Sequence, residues 1–239
     1  MFGDGLIELQ QHLSVKEVAR LIAETARWVD PQTFELLPVW FPEYARGKNL
    51  HNKNWSEIRR IEKQDSKEVV DKKEGNTQAN IALCKALGTT AKERPNWTCC
   101  HIWGVDDPTF ARRNTVVKDH RFFTCVANMV LLPTPLKAFT DVMPEIKAML
   151  RECSATLYSW KCDHPDLAAV PAASFARTDF PAAWRRAESV PGVVRINDKI
   201  RKAASDRKAR IKRELEHAGP YYPREEVRKA LSYWKIDLD

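Results

Sequence analysis

Residues 98–103 (TCCHIW) and 122–126 (FFTCV) crowd β-branched, aromatic and cysteine side chains together, and 129–132 (MVLL) form a short apolar run with PTPLKAFTD (133–141) directly behind it. Such residues suit a pleated, buried surface. Proline is tolerated in the first turn of a helix, where its missing N–H costs no hydrogen bond. The expected order over 96–141 is therefore strand, long loop, strand, helix.

Outward from this centre the pattern is helical. Ser14 followed by Glu17 is a capping-box signal, and Val15, Val18, Ala19, Ile22 and Ala26 then recur at helical spacing, which predicts a helix over 15–28 ending before Pro31. The proline- and aromatic-rich segment behind it (PQTFELLPVWFPEY) reads as irregular packed chain. Lys53 to Glu74 carries seven basic and six acidic residues with little apolar content, the pattern of a solvated helix or an insertion. Helices are expected over 76–87, stopping at Gly88, and over Pro144–Trp160, with Ile146, Met149, Leu150, Cys153 and Leu157 on one face. A proline- and alanine-rich connector with at most short helices precedes a basic helical run, and PREEVRKALSYW (223–234) reads as a last amphipathic helix. The fold class expected is α+β, mainly helical around a small central core, in four parts: 1–95, 96–162, 163–192 and 193–239.

Composition narrows the function classes. At 44% hydrophobic and 30% charged, the 239 residues exclude disorder throughout. Met129–Leu132, the longest apolar run, is far too short to span a bilayer, and MFGDGLIELQ lacks the basic-then-apolar order of a secretion signal, so the expectation is a cytoplasmic protein away from membranes. Six cysteines are too few for a disulfide scaffold and are expected as reduced, mostly buried thiols. A structural Zn²⁺ drawn from Cys99, Cys100, Cys125, Cys162 or His164 is an unfavoured alternative, because no CxxC spacing marks it. The net charge is +7, and Arg195 to Arg213 alone holds nine basic and two acidic residues. That stretch accounts for the whole excess.

The Cys100-His101 pair at the end of the first strand, Ala127-Asn128 ahead of MVLL, and the helix from Pro133 together resemble the ββα-metal (His-Me finger) nucleases of the HNH type. The resemblance implies a DNA endonuclease, of restriction or phage-defence kind, that uses a divalent cation. It places the general base at His101 and a loop-holding asparagine at Asn128. Its metal ligands fall nine and thirteen residues past Asn128, on Lys137 and Asp141. Cys100 stands where relatives carry an acid or a second histidine, and Lys137 where they carry a histidine. The implied roles are His101, Asn128 and Lys137 in catalysis, with Asp141 and Asn128 on Mg²⁺ or Mn²⁺ and Lys137 neutralising phosphate charge.

These types suit the chemistry. Phosphodiester hydrolysis needs a base to deprotonate water and positive charge against the non-bridging and leaving oxygens. An unperturbed imidazole titrates near neutral pH, and a carboxylate is a hard ligand suited to Mg²⁺. Each residue also has a plainer reading: His101 as a satisfied buried histidine, Asp141 as the N-terminal cap of the next helix, Lys137 as a solvated lysine. Asp106-Asp107 reads as a turn or an extra ligand, and Asp119-His120 as a further ligand or, in preference, as structure or DNA contact.

In the basic run, Ile196, Ile200, Ala203 or Ala204, Ile211 and Leu215 form a thin apolar stripe. That leaves Lys199, Arg201, Lys202, Lys208, Arg210 and Arg213 for a phosphate backbone, with largely sequence-independent, salt-dependent affinity. The expected partner is double-stranded DNA, and a homodimer would let single sites cut both strands. The alternatives are a non-catalytic DNA-binding protein, a ribonuclease toxin and an interaction module built on the C-terminal helix.

Overall fold

The computed structural model describes residues 3–52, 54–63, 66–105, 115–168 and 175–239. In chain order these form helices α1 (Gly5–Gln10) and α2 (Val15–Thr25), strand β1 (Trp28–Val29), helix α3 (Pro31–Leu36), and strands β2 (His51–Asn52), β3 (Glu57–Ile58), β4 (Arg60–Lys63) and β5 (Ser66–Asp71). Helix α4 (Thr77–Ala86), strands β6 (Trp97–His101) and β7 (Met129–Pro133), and helices α5 (Thr134–Val142) and α6 (Pro144–Tyr158) follow. Strand β8 (Val193–Val194) and helices α7 (Asp198–His217) and α8 (Arg224–Tyr233) complete an α+β fold.

The capping box at Ser14 forms as expected, with Glu17 N donating to Ser14 Oγ and Ser14 N to the Glu17 carboxylate. Pro31 opens a helix of its own. Asp30 caps α3 by accepting from Gln32 N at 2.9 Å, so the segment expected to be irregular begins with six helical residues.

The centre is the antiparallel pair β6–β7, in register from Trp97 opposite Pro133 to His101 opposite Met129. Arg27 and Leu131 exchange backbone hydrogen bonds of 2.9 and 3.1 Å, laying the start of β1 beside β7, and β8 pairs in parallel with β1. Alternation along the strands divides the core. Cys100, Val130 and Leu132 face a cluster with α2 and α6 (Ile22, Met149, Cys153), whereas Cys99, Met129 and Leu131 face one with α4 and Trp40. A strand covered on both faces reads as continuous apolar sequence, which is why MVLL lacks alternation.

All four sequence segments enter these clusters. Phe180, Trp184 and Val190 of the 163–192 connector pack with Trp28 of the N-terminal part and Met149 of α6. Two buried hydrogen bonds tie α6 to the turn before β7 and to β1: Ser154 Oγ to the Ala127 carbonyl at 2.6 Å and Tyr158 hydroxyl to that of Val29 at 2.8 Å.

The charged stretch after Lys53 forms hairpins, which corrects the helical one of its two expected readings. In β4–β5, Arg60 lies opposite Asp71 with an ion pair of 3.2 Å, and Ile61 lies opposite Val70. Cross-strand pairs of opposite charge stabilise such a ribbon without a buried face. Ile61 and Val69 stay about half exposed, so the hydrophobic alternation that identifies a strand is missing.

Helix α7 buries Ile200, Ala204, Arg207, Ile211 and Glu214. The Arg207 guanidinium donates to the Trp40 carbonyl at 2.7 Å and to both oxygens of Glu43, and lies 4.7 Å over the Phe41 ring. No described helix is long and apolar enough to cross a membrane.

Candidate active site

His101 ends β6, and its ring is held twice. It stacks on Phe123 with centroids 5.5 Å apart, and Nε2 meets the Phe123 carbonyl at 2.9 Å. A carbonyl can only accept, so Nε2 carries the proton and the neutral ring keeps its lone pair on Nδ1. Among the described residues Nδ1 has no hydrogen-bond partner.

Asn128 closes the loop that begins after His101. Its Oδ1 accepts from Trp103 N at 2.7 Å, its Nδ2 donates to the Phe122 carbonyl at 3.2 Å, and its own carbonyl accepts from Ile102 N at 2.9 Å. One buried amide thus fixes both ends of the loop and, through Phe122, the neighbour of the carbonyl that orients His101.

The imidazole borders a cavity of about 100 Å³ whose polar lining includes Arg46, Asn76, Lys137, Asp141 and Lys147. Four residues apart on α5, Lys137 and Asp141 form an ion pair. Asp141 therefore lies within α5 and does not cap α6, whose first turn has no side-chain cap. Lys147, only 2% exposed, comes from α6 and donates to the His101 carbonyl at 2.5 Å, with Cys100 Sγ at 3.7 Å. Arg46 Nη1 donates to Asn76 Oδ1 at 2.7 Å.

Electrostatics change the expected behaviour of the base. Burial pushes His101 down to about 4, the Phe123 carbonyl opposes this, and Lys147, Arg46 and Lys137 push it lower still. The ring is neutral at pH 7 for that reason, not because it titrates there. Its proton affinity is modest, and a reaction that uses it depends on charge stabilisation from its neighbours.

The expected cation fares differently. Mg²⁺ asks for several hard oxygen ligands. Asp141 is the carboxylate on the cavity, and Lys137 already pairs with it. Cys100 offers a soft sulfur in contact with Thr140 Oγ1 at 3.2 Å. The Asn128 amide is turned into the loop and does not border the cavity, so the expected ligand pair Asp141 and Asn128 is not brought together. Three cations face one carboxylate, and this described donor set does not fit a protein-held Mg²⁺ or Mn²⁺. Asp106 and Asp107 lie outside the described residues. The cysteines expected as free thiols are free, with all but Cys162 buried. Cys99 and Cys100 point to opposite faces of β6, which separates them as zinc ligands.

The α7 cations are scattered by comparison. Lys202 pairs with Asp206 at 2.8 Å and Arg210 with Glu214 at 2.8 Å, while Lys199 borders a separate pocket of about 380 Å³ beside Cys84 and Arg94. Arg201 and Arg213 are exposed and Lys208 is half-buried. A larger basic cleft, about 850 Å³, carries Lys48, Lys118, Arg121, Arg228 and Lys229. It draws from segments distant in sequence, so no run of charge announces it. His120 and Asp119 border it too, His120 held by the Pro42 carbonyl at 2.9 Å and Asp119 by Arg121 at 2.8 Å, as structure rather than as free groups. Cleft and cavity meet in the chain: Arg46 serves the cavity and Lys48 the cleft, and Arg46 N bonds to the Val117 carbonyl next to Lys118.

Comparison with protein-family models, with curated proteins and with solved structures finds no match to this chain.

Proposed function

We propose that this chain is an endonuclease that hydrolyses phosphodiester bonds of double-stranded DNA, with His101 as general base. The observation that carries the reading is the imidazole at the end of β6, its Nε2 occupied by the Phe123 carbonyl and its Nδ1 without a partner among the described residues, on a cavity lined by three cations. The paired strands β6 and β7 and helix α5 frame it. The neighbouring cleft, with five cations against the carboxylates of Asp119 and Glu226, suits a polyanion.

In the reaction, water attacks phosphorus as its proton passes to His101 Nδ1, and the bond to the 3′-oxygen breaks. A positioned general base contributes roughly 10²- to 10⁴-fold. Plasmid incubated with the purified chain, in EDTA and separately in Mg²⁺ or Mn²⁺, is expected to be nicked or linearised. His101→Ala should lower that rate by about 10²- to 10⁴-fold and leave circular dichroism and the gel shift of DNA intact. Cleavage by the variant at the wild-type rate would remove His101 from the chemistry. Discrete bands, as against a smear, would assign a site-specific enzyme.

The cleft favours one second reading, because its cations are independent of His101. A chain that shifts DNA on a gel and never cuts it is a DNA-binding protein. Cutting of RNA alone would assign a ribonuclease.

A further inference from the structure

We infer that Arg46, Lys137 and Lys147 hold the scissile phosphate directly, in the place a divalent cation would occupy, so that the site works without a metal. This rests on the nuclease reading for its chemistry, while the phosphate site itself is testable separately. The three cations come from three parts of the chain, the segment before β2, α5 and α6, and converge on one cavity. Among the described residues Asp141 is the carboxylate opposing the three cations and His101 is neutral, and this described lining has a positive excess that attracts an anion and repels Mg²⁺.

Lys147 is the decisive group. A buried ammonium is costly unless it is paired and hydrogen-bonded. Its contacts are a carbonyl and a sulfur, and among the described residues no carboxylate pairs with it. An ammonium has three donors, so one remains for a ligand. A phosphate oxygen supplies the missing negative charge. The volume, about 100 Å³, equals about three waters at roughly 30 Å³ each, room for one phosphoryl group. The same contact aims the chemistry, since Lys147 grips the carbonyl of the residue whose imidazole is the base.

The step balances without a metal. A water oxygen bonds to phosphorus, its proton goes to His101 Nδ1, and the P–O3′ bond breaks. The departing 3′-oxygen takes a proton from the Lys137 ammonium. Solvent then restores Lys137 and deprotonates the imidazolium, leaving a 5′-phosphate and a 3′-hydroxyl.

The test uses the full chain, inorganic phosphate and plasmid DNA, all in EDTA. Titration calorimetry is expected to detect phosphate binding, weakened at least 10-fold by Lys137→Ala, a half-exposed site whose change spares the core, and abolished by Lys147→Met. Near-UV circular dichroism checks that both variants are folded. Plasmid cleavage in EDTA should match that in Mg²⁺ within about 2-fold, as expected where the fixed ammonium and guanidinium groups supply the charge. Phosphate binding that is absent in EDTA, or unchanged by Lys137→Ala, overturns the inference. Cleavage that EDTA stops and Mg²⁺ restores also overturns it, leaving the nuclease reading intact. Phosphate bound in EDTA with no cleavage under any condition sinks the nuclease reading and sustains the cation site.

Discussion

At the scale of single residues, His101 links the proposed chemistry to stability. Its native proton affinity is lowered to about 4 from an ordinary 6.5, chiefly by burial. Below pH 6.5 the unfolded chain therefore binds a proton that the native imidazole refuses, and acidification favours unfolding. The loss begins near pH 6.5 and is complete near pH 4. About 2.5 pK units correspond to a cost of the order of 3 kcal/mol. Buried His120 is lowered as well and adds a slope of the same sign. Urea midpoints measured from pH 7 to pH 4.5 should fall for the wild type and fall less for His101→Gln, which keeps a donor for the Phe123 carbonyl and removes the titration. Equal slopes would mean that His101 titrates as an ordinary surface histidine. His101 and Asn128 were singled out together in the sequence, and they stand at the two ends of one loop, where the Asn128 carbonyl accepts from Ile102 N. Lys147 was not, since a lysine in an amphipathic helix reads as solvated. A signal was present: it lies three and seven residues before Leu150 and Ser154, both buried, on the covered side of α6.

At the scale of elements, α7 shows how far periodicity reaches. The stripe expected over Ile196 to Leu215 was sound at Ile200, Ala204 and Ile211, and its spacing ran through Arg207 and Glu214, which a hydrophobicity criterion skips. The positions are buried because the chain from Trp40 to Glu43 supplies a carbonyl and a carboxylate that sequence patterns cannot associate with a helix over 160 residues away. Burial pushes the Glu43 carboxyl up from its ordinary range, and Arg207 pulls it back. Arg207→Ala would strip Glu43 of its cation and leave it facing Glu214, whose remaining partner is Arg210. The expected loss at pH 7.5 is about 3–5 kcal/mol, the usual result of breaking a buried pair from one side. At pH 5.5 the gap to wild type should narrow, because a Glu43 freed of Arg207 takes up a proton more readily. Denaturant curves at the two pH values measure this, and a gap independent of pH would show that lost packing over Phe41, not uncompensated charge, sets the cost.

At the scale of the whole molecule, the question is where the +7 acts. Counting charge along the chain assigns it to Arg195–Arg213, but folding spends part of that run internally: Arg207 is buried, Arg210 pairs with Glu214 and Lys202 with Asp206. The cleft instead gathers Lys48, Lys118, Arg121, Arg228 and Lys229 from segments that are unremarkable in sequence, adjoining the chain that carries Arg46 into the cavity. If the cleft grips DNA, each phosphate contact contributes about 0.9 to the slope of log affinity against log salt. Replacing Lys118, Arg228 and Lys229 by alanine should therefore lower that slope by up to about 2.7, read by fluorescence anisotropy between roughly 50 and 200 mM salt. Replacing Lys208, Arg210 and Arg213 should lower it less, because Arg210 is engaged with Glu214. None of the six borders the His101 cavity, so its lining is intact in both variants, and circular dichroism checks that each is folded. A larger loss from the α7 variant would return the grip to the helix where the sequence places it, and the cleft would then be a solvated surface.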